Sequence, residues 1–313
     1  MMRRALLLVA LSLLVMLLSL FVGPPLSGPH AEFVLFELRV PRLLVGVLVG
    51  AALSLAGACF QIVFNNPLAT PSTVGTLAGA TLGALSALAL GADPELGGLP
   101  VTTIAAFGGA LLTSLAVAAV ASSGRARMND VLLSGIAVSL AASAIATGIQ
   151  YVADSQATFA ASRWALGQLP QVGYRGVAWL TPVVVLTSLI LLAQRRALGS
   201  LSLGDELAAS QGVDVPRVRL LVLGSASLAV AAAVAWCGPI AFVGLIVPHL
   251  VRLSVGPGVR ALLPLSLLLG GAFLTFCDAI ARALVPGREL PVGVVTAALG
   301  APALVALIVR GRR

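Results

Sequence analysis

Long apolar runs alternate with short polar connections along the whole chain. A transmembrane helix needs about 20 apolar residues to cross the hydrocarbon layer of a bilayer. The pattern therefore predicts an all-α polytopic membrane protein with about ten transmembrane helices, of which the eighth is short. In chain order the predicted spans are 5–22, 43–63, 74–91, 101–121, 131–151, 176–193, 220–236, 240–250, 262–281 and 291–309.

Because the apolar runs extend from end to end, residues 1–313 are predicted to form a single transmembrane domain. The longest outer connection is 152–175 and the longest inner connection is 194–219. A third connection, 64–73, is polar and rich in Pro. Lipid does not tolerate exposed backbone polar groups, so this last segment is expected in the protein interior or beside a path.

Composition supports the membrane class. Hydrophobic residues make up 59% of the chain, charged residues only 10%, and the mean hydropathy is +1.08, whereas soluble proteins average about 25% charged residues. The basic residues come singly or in pairs between apolar runs, without the basic, aromatic-bearing face that nucleic-acid binding needs. The expected surroundings are a lipid bilayer, and nucleic acid is not an expected partner.

The distribution of Arg predicts the orientation in the membrane. All nineteen basic residues are Arg, and with ten spans thirteen of them fall on the side that holds both termini. Cytoplasmic loops carry an excess of basic residues, so both termini are predicted to be cytoplasmic, in a bacterial inner membrane. The run after Arg3 and Arg4 is longer than a usual signal-peptide core, which favours an uncleaved first span. The thirteen are Arg3, Arg4, Arg125, Arg127, Arg195, Arg196, Arg217, Arg219, Arg252, Arg260, Arg310, Arg312 and Arg313.

Acidic residues are nearly absent from the predicted spans, and Asp278 is the exception. An acid within the membrane can bind a coupling ion, so an ion-coupled secondary transporter that uses Asp278 is one hypothesis. Arg282 follows one helical turn later, on the same face. That spacing favours the alternative of a neutral ion pair near the outer surface.

The remaining side chains do not predict catalysis. Ser134 and His249 could be imagined as a catalytic pair, but no strained nucleophile turn surrounds the Ser, and the sequence lacks the Gly-rich Lys loop that binds ATP. The three Cys and two His are far apart, so neither a metal site nor a disulfide framework is expected. We predict a protein that is not an enzyme and binds no cofactor itself.

Two further patterns have two interpretations each. Ser139, Ser143 and Thr147 lie on one face of the fifth span, where they could line a path or mediate ordinary helix packing. In the inner connection, residues 202–212 resemble a short helix that Ser202 or Asp205 caps and that Gly212 ends in a left-handed conformation. About two turns of helix are marginal alone in water, so a cytoplasmic partner is expected to hold it; a solvated surface helix is the alternative.

Several motifs occur in a fixed order along the chain. They are Arg39-Val40-Pro41-Arg42, Gly50 to Gly57 with Gln61, Asn66-Pro67-Leu68-Ala69, Leu133 to Ser139, Trp164 to Gly167, Gly204 to Gly212, Gly238 to Arg252, and Glu289 to Gly293 with Gly300-Ala301-Pro302. In this order the chain resembles the FecCD/BtuC-type permease family of ABC importers, which carry iron-siderophores, haem and vitamin B12. The resemblance covers nearly the whole sequence.

The resemblance implies a homodimer with a translocation path at its two-fold axis. It also implies two cytoplasmic ATPase subunits, which bind ATP and Mg²⁺, and an extracytoplasmic substrate-binding protein that delivers the cargo. Residue roles follow by matching the motifs. Coupling to the ATPase is expected from Asp205, Glu206, Leu207, Ala208, Gln211 and Gly212; the gate and path from Asn66, Pro67, Leu68, Ser139, Ser143 and Thr147; and docking of the binding protein from Arg39, Arg42 and Arg282.

Overall fold

The computed structural model describes residues 2–23, 30–91, 95–122, 128–170, 173–285 and 288–310. Within these ranges the chain is almost entirely helical, with one short antiparallel hairpin. The helices are α1 Met2–Ser19, α2 Ala31–Val63, α3 Thr76–Ala89, α4 Val101–Ser122, α5 Met128–Val152, α6 Ser155–Ala165, α7 Arg175–Ala193, α8 Arg195–Leu201, α9 Asp205–Ser210, α10 Val215–Cys237, α11 Val243–Val255, α12 Val259–Ala283 and α13 Val292–Arg310; the strands are β1 Glu95–Leu96 and β2 Leu99–Pro100.

Among the described residues, six helices are long and apolar enough to cross a membrane, namely α2, α4, α5, α7, α10 and α12. The shorter apolar helices α3, α11 and α13, together with the 18-residue α1, lie at the other four predicted spans. A mostly helical protein with several membrane-length helices is thereby confirmed. The count of ten crossings, the single domain and the cytoplasmic termini stay predictions. Four residues used for that placement, Arg125, Arg127, Arg312 and Arg313, lie outside the described residues.

Helix α2 is the centre of the fold. Nearly every residue from Val45 to Val63 is buried, and α7, α10, α11 and α12 pack around it. A helix that is surrounded on all sides can be apolar on all faces, which explains its almost continuous apolar sequence. Near its start α2 has a π-helical turn, Val34–Arg39. This wider turn accommodates Pro41, which cannot donate a helical hydrogen bond.

Glycine lets α2 approach its neighbours closely. A Cβ at Gly50 would lie 2.2 Å from the carbonyl oxygen of Gly270 on α12, and a Cβ at Gly57 would lie 1.9 Å from that of Gly244 on α11. Any larger residue would therefore push these helices apart. In lipid, van der Waals contact between small residues takes over much of the role that the hydrophobic effect has in water.

Helix α5 is the least enclosed of the six long helices. Only 17% of its most apolar stretch of 18 residues is buried. Leu133, Leu140 and Ile145 are each more than half exposed. Its other face packs on α3, α4 and the 3-10 turn Pro71–Val74. The open face must be covered by lipid or by another subunit.

The outer connection 152–175 contains a helix, α6, that the apolar pattern does not predict. Asp154 begins it by accepting a hydrogen bond from the backbone N–H of Ala157 at 2.7 Å. Polar and apolar residues are mixed in α6, so it does not register as an apolar run. Residues 171 and 172 of this connection lie outside the described residues.

Three segments that are distant in sequence meet at the end of α6. The backbone N–H of Gln168 donates to the carbonyl oxygen of Cys237 at 2.8 Å, and that of Gly293 donates to Gly167 at 3.1 Å. Gly167 and Gly238 have φ angles of +66° and +70°, which glycine tolerates and most residues do not. The motifs that begin at residues 164, 238 and 289 are therefore parts of one junction.

Candidate functional site

A buried ion cluster joins α1, α2 and α12 at one end of the fold. Arg42 Nη2 lies 2.8 Å from Asp278 Oδ1, and Arg282 Nε lies 3.0 Å from Oδ2 of the same carboxylate. Arg42 Nη1 also lies 2.7 Å from Glu289 Oε2. The side chains of Arg42 and Asp278 are only 7% and 5% exposed. Charges removed from water are stable only when they are paired, and this arrangement pairs them.

The same cluster closes the end of α1. Arg282 donates to the carbonyl oxygens of Val22 at 2.6 Å and Ser19 at 2.8 Å, and Arg39 donates to that of Leu20 at 2.9 Å. The last carbonyls of a helix lack helical partners and carry a partial negative charge, so cations are favourable there. The cluster therefore fixes α1 against α2 and α12.

The predicted ion pair of Asp278 with Arg282 is confirmed, and the cluster is larger than the sequence indicates. Arg42 was missed as a partner because it lies 236 residues from Asp278. Glu289 was missed because its own partner, Arg42, lies 247 residues away. Arg39 and Arg42, expected on the outer surface, are instead only 8% and 7% exposed, because Asp278 and the end of α1 occupy their guanidinium groups. Docking of the binding protein on Arg39, Arg42 and Arg282 stays a prediction.

Asp278 is poorly placed for ion coupling. A coupling acid must bind and release a proton or a cation during each cycle. Both oxygens of Asp278 already accept hydrogen bonds, one from Arg42 and the other from Arg282. Protonation would remove the counter-charge that these two guanidinium groups share. The geometry favours a structural ion pair over the secondary-transporter hypothesis.

The turn after α2 holds the predicted gate residues. Asn65 adopts a left-handed conformation with φ +45°, and the Asn66 side chain accepts a hydrogen bond from the backbone N–H of Leu68 at 2.9 Å. These features close the turn around Pro67. Pro67 is exposed and Leu68 is 50% exposed. The turn thus has an apolar tip that can contact another surface, and its role as a gate stays a prediction.

The polar stripe on α5 lies on the open side of that helix. Ser143 and Thr147 are exposed and Ser139 is half-buried. The Ser139 hydroxyl donates to Gly135 at 2.7 Å, and the Thr147 hydroxyl donates to the carbonyl oxygen of Ser143 at 2.9 Å. Because these hydroxyls find acceptors in their own helix, they can face apolar surroundings. The geometry accommodates both a path and a helix contact.

The inner connection 194–219 folds into two short helices. α8 continues from α7 and buries Leu198 and Leu201, while α9 buries Ala208. The carboxylate of Asp205 in α9 accepts two hydrogen bonds from Arg219 in α10, at 2.6 and 2.7 Å. The connection is therefore attached to the helix bundle at several points rather than hanging free.

The predicted end of α9 at Gly212 is confirmed. Gly212 has φ +79°, and its N–H donates to the carbonyl oxygen of Ala209 at 2.9 Å. The next N–H, of Val213, donates to that of Ala208 at 3.1 Å. This pair of bonds is the Schellman motif, which satisfies the last carbonyls of a helix.

Two details predicted for this helix are wrong. Neither Ser202 nor Asp205 caps it, because Gly204 occupies the capping position and Asp205 pairs with Arg219 instead. Ala208, one of the residues expected to contact the ATPase, is fully buried. The reason is that α9 uses Ala208 to pack on the bundle, which leaves Glu206 and Leu207 outward and ties the Gln211 side chain to Ser200 at 2.6 Å.

A buried amide repairs a break in α11. Pro248 lies inside α11 and has no N–H, so the carbonyl oxygen of Gly244 loses its helical partner. Gln61 on α2, only 3% exposed, donates Nε2 to that oxygen at 3.2 Å. Arg252 in turn donates to Oε1 of Gln61 and so fixes the orientation of the amide. Both residues stand in the quoted motifs, but the sequence gives no sign that they bond.

Comparisons with known proteins agree on one family. The model of the FecCD transport family matches residues 4–310. The cobalamin import system permease protein BtuC of Halobacterium salinarum is 43% identical over 273 residues, which cover 87% of this chain and 72% of that protein. The hemin transport system permease protein HmuU of Yersinia pestis is 36% identical over 278 residues, which cover 88% of this chain and 83% of that protein.

The likeness extends to solved structures. One, described as an inward-facing conformation of a metal-chelate type ABC transporter, has a TM-score of 0.88 at 29% identity and covers 99% of this chain and 100% of that chain. PsaBC from Streptococcus pneumoniae, solved in complex with Fab, has a TM-score of 0.59 at 17% identity, with 86% and 90% covered. The second comparison supports the fold alone, whereas the first matches the chain from end to end.

The ion cluster predicts a large loss of stability for Asp278→Asn. Removing one partner of a buried ion pair leaves the other charge uncompensated and costs about 3–5 kcal/mol. We expect a clearly lower midpoint of thermal unfolding for the purified variant in detergent. The matched control is Glu289→Gln, because Glu289 is 49% exposed and half-solvated pairs contribute about 1 kcal/mol or less. Equal midpoints for Asp278→Asn and the unmodified protein would contradict the cluster.

Proposed function

The chain belongs to the FecCD transport family, and we propose that this ABC transporter permease is the membrane subunit of a binding-protein-dependent importer. In the proposal two copies form a translocation path at a two-fold axis. Two separate ATPase subunits bind the cytoplasmic side, and an extracytoplasmic protein delivers the cargo. The observation that carries the proposal is helix α9, a short, capped and outward-facing helix on a protein in which Asp278, the acid of α12, is held by two Arg side chains.

Helix α9 is placed where an ATPase could bind it and displace it. Leu207 is 45% exposed and offers an apolar contact. Beside it Ala208 is buried, and the carboxylate of Asp205 is held by Arg219 of α10. A displacement of α9 would therefore move the start of α10, a helix that crosses the core beside α2. In this way ATP-driven movement of the partner would reach the membrane helices.

A second copy of the chain would cover the surfaces that one subunit leaves open. The apolar face of α5 and the tip of the turn at Pro67 and Leu68 are both exposed. In a two-fold dimer each would meet its counterpart or line the path between the subunits. The neutral hydroxyls of Ser143 and Thr147 would then lie along the path, where weak contacts let a cargo leave as well as enter.

The proposed cargo is a bulky metal chelate. The relatives named above are permeases for cobalamin and hemin, and the matching solved structure is of the metal-chelate type. Cobalamin, haem and iron-siderophores are the three cargo classes proposed for this chain. Cobalamin is the first to test, because the cobalamin permease is 43% identical to it and the hemin permease 36%.

The outer ion cluster is the proposed docking site for the binding protein. Arg42 and Arg282 pair with Asp278, Arg42 also pairs with Glu289, and Arg39 adjoins them at the end of α1. These guanidinium groups favour an acidic partner. Glu289 is the half-exposed member of the cluster, so an incoming carboxylate could compete there for Arg42.

The coupling role predicts that Leu207→Asp uncouples the importer without unfolding it. Burying a Leu side chain contributes about 1.5–3 kcal/mol, so its loss should weaken ATPase docking by tenfold or more, since about 1.4 kcal/mol corresponds to tenfold. We expect unchanged expression and binding of the extracytoplasmic protein. Cargo uptake and cargo-stimulated ATP hydrolysis in proteoliposomes should both fall.

Gly212→Val should have the same effect, because a β-branched residue resists the left-handed cap at a cost of about 1–2 kcal/mol. Leu207→Met and Gly212→Asn are the matched controls, since the first keeps the apolar contact and Asn tolerates the left-handed conformation. If Leu207→Asp and Gly212→Val purify with their ATPase and transport at the normal rate, α9 is only a solvated surface helix.

The gate role predicts a crosslink between two copies at residue 68. The native Cys59, Cys237 and Cys277 are buried and would be replaced first. In that background Leu68→Cys should form a disulfide-linked dimer with an oxidant, to an extent that changes when ATP or ADP is bound by the partner. Leu11→Cys, on the exposed side of α1, is the control. No crosslink in any nucleotide state would remove Leu68 from the gate.

A further inference from the structure

Arg252 has no acidic partner among the described residues. It donates one hydrogen bond, from Nη1 to the Gln61 amide, and it enters no ion pair. It is half-buried at the end of α11. A partly buried Arg whose charge has no counter-charge is unusual, because removal from water disfavours an unpaired charge. The guanidinium group is therefore available to form an ion pair with an anion from outside the subunit.

Arg252 lines a cavity of about 530 Å³ whose described lining contains no carboxylate. The lining combines the polar side chains of Gln61, Asn65, Asn66 and Ser202 with apolar residues such as Leu262. Arg252 is the only charged side chain among the described lining residues, and the amides and the hydroxyl beside it can donate hydrogen bonds. Such a lining selects for an anion.

A second cavity of about 560 Å³ lies on the other side of a ridge. Asn65 and Leu203 line both cavities and so form the ridge between them, with Leu203 67% exposed. The second lining contains Asp205, which Arg219 neutralises, and Glu206, which has no ion pair among the described residues. The two cavities therefore differ in sign, and both adjoin the start of α9.

We propose that the ATPase inserts an acidic side chain into the Arg252 cavity when it seats on α9. The inference rests on the proposed function, because it takes the partner that covers Leu207 to be the ATPase. That partner must also cover the exposed Leu203 ridge, since Leu207 and Leu203 line the same cavity. A carboxylate opposite Arg252 and a cation opposite Glu206 would fix the direction in which the partner binds.

The contact would act on the membrane helices directly. Arg252 holds the Gln61 amide, and that amide holds the free carbonyl oxygen of Gly244 near the start of α11. An acid that draws on Arg252 would therefore act on the bond that repairs the break at Pro248. This route is separate from the one through Asp205 and Arg219, so the ATPase would engage both α10 and α11.

The test is the affinity of the permease, in nanodiscs, for its purified ATPase. Arg252→Gln removes the charge, and Ser202→Asp keeps Arg252 but places a competing carboxylate in the cavity. We expect either change to raise the Kd about tenfold or more, since loss of one member of a buried charge pair weakens binding strongly. The Kd of the unmodified complex should also rise with salt more steeply than that of either variant.

Arg260→Gln is the matched control, because Arg260 is exposed nearby and lies outside the cavity; its Kd should stay unchanged. If the Arg252→Gln variant does not fold, the Kd of the Ser202→Asp variant tests the inference by itself. An unchanged Kd for Ser202→Asp, with the unmodified complex intact, would overturn this inference alone. So would loss of bound phosphatidylglycerol or inorganic phosphate in Arg252→Gln by native mass spectrometry without a change in Kd. Absence of any complex with the unmodified permease would overturn the proposed function as well.

Discussion

The structure depends on one constraint, the lack of water in the hydrocarbon layer. A polar group there must find its partner within the protein. Asp278 satisfies the constraint with Arg42 and Arg282, and the free carbonyl of Gly244 satisfies it with Gln61. Both solutions join helices that are far apart in sequence. The polar groups therefore decide which helices are neighbours, while the glycines of α2 decide how closely they pack.

The same constraint explains how much of the fold the sequence predicts. Apolar runs locate all ten long or intermediate helices because each must be apolar along its length. The pair of Asp278 and Arg282 follows from helical spacing alone. In contrast, the contact of Arg42 with Asp278 depends on how α2 and α12 pack, and no spacing along the chain encodes it. Helix α6 is amphipathic and lies outside the apolar runs, so a search for apolar runs does not find it.

The inner connection shows a second limit of sequence patterns. Gly212 is found correctly because a left-handed cap has a strong residue preference. The orientation of α9 is not found, because a helix of six residues has too few positions to show which face is buried. Ala208 faces the bundle and Asp205 pairs with Arg219, and both are tertiary contacts. Only the structure shows that Glu206 and Leu207 face outward.

In the proposed function, the energy for transport enters from outside the membrane helices. Asp278 is occupied by two Arg side chains, whereas α9 and the two cavities beside it face outward. The most direct test is cobalamin uptake by proteoliposomes that hold the permease and its ATPase, with ion gradients collapsed by ionophores. Uptake that needs ATP and persists without any ion gradient is the predicted result. Uptake that continues without ATP and stops when the proton gradient is collapsed would contradict the account.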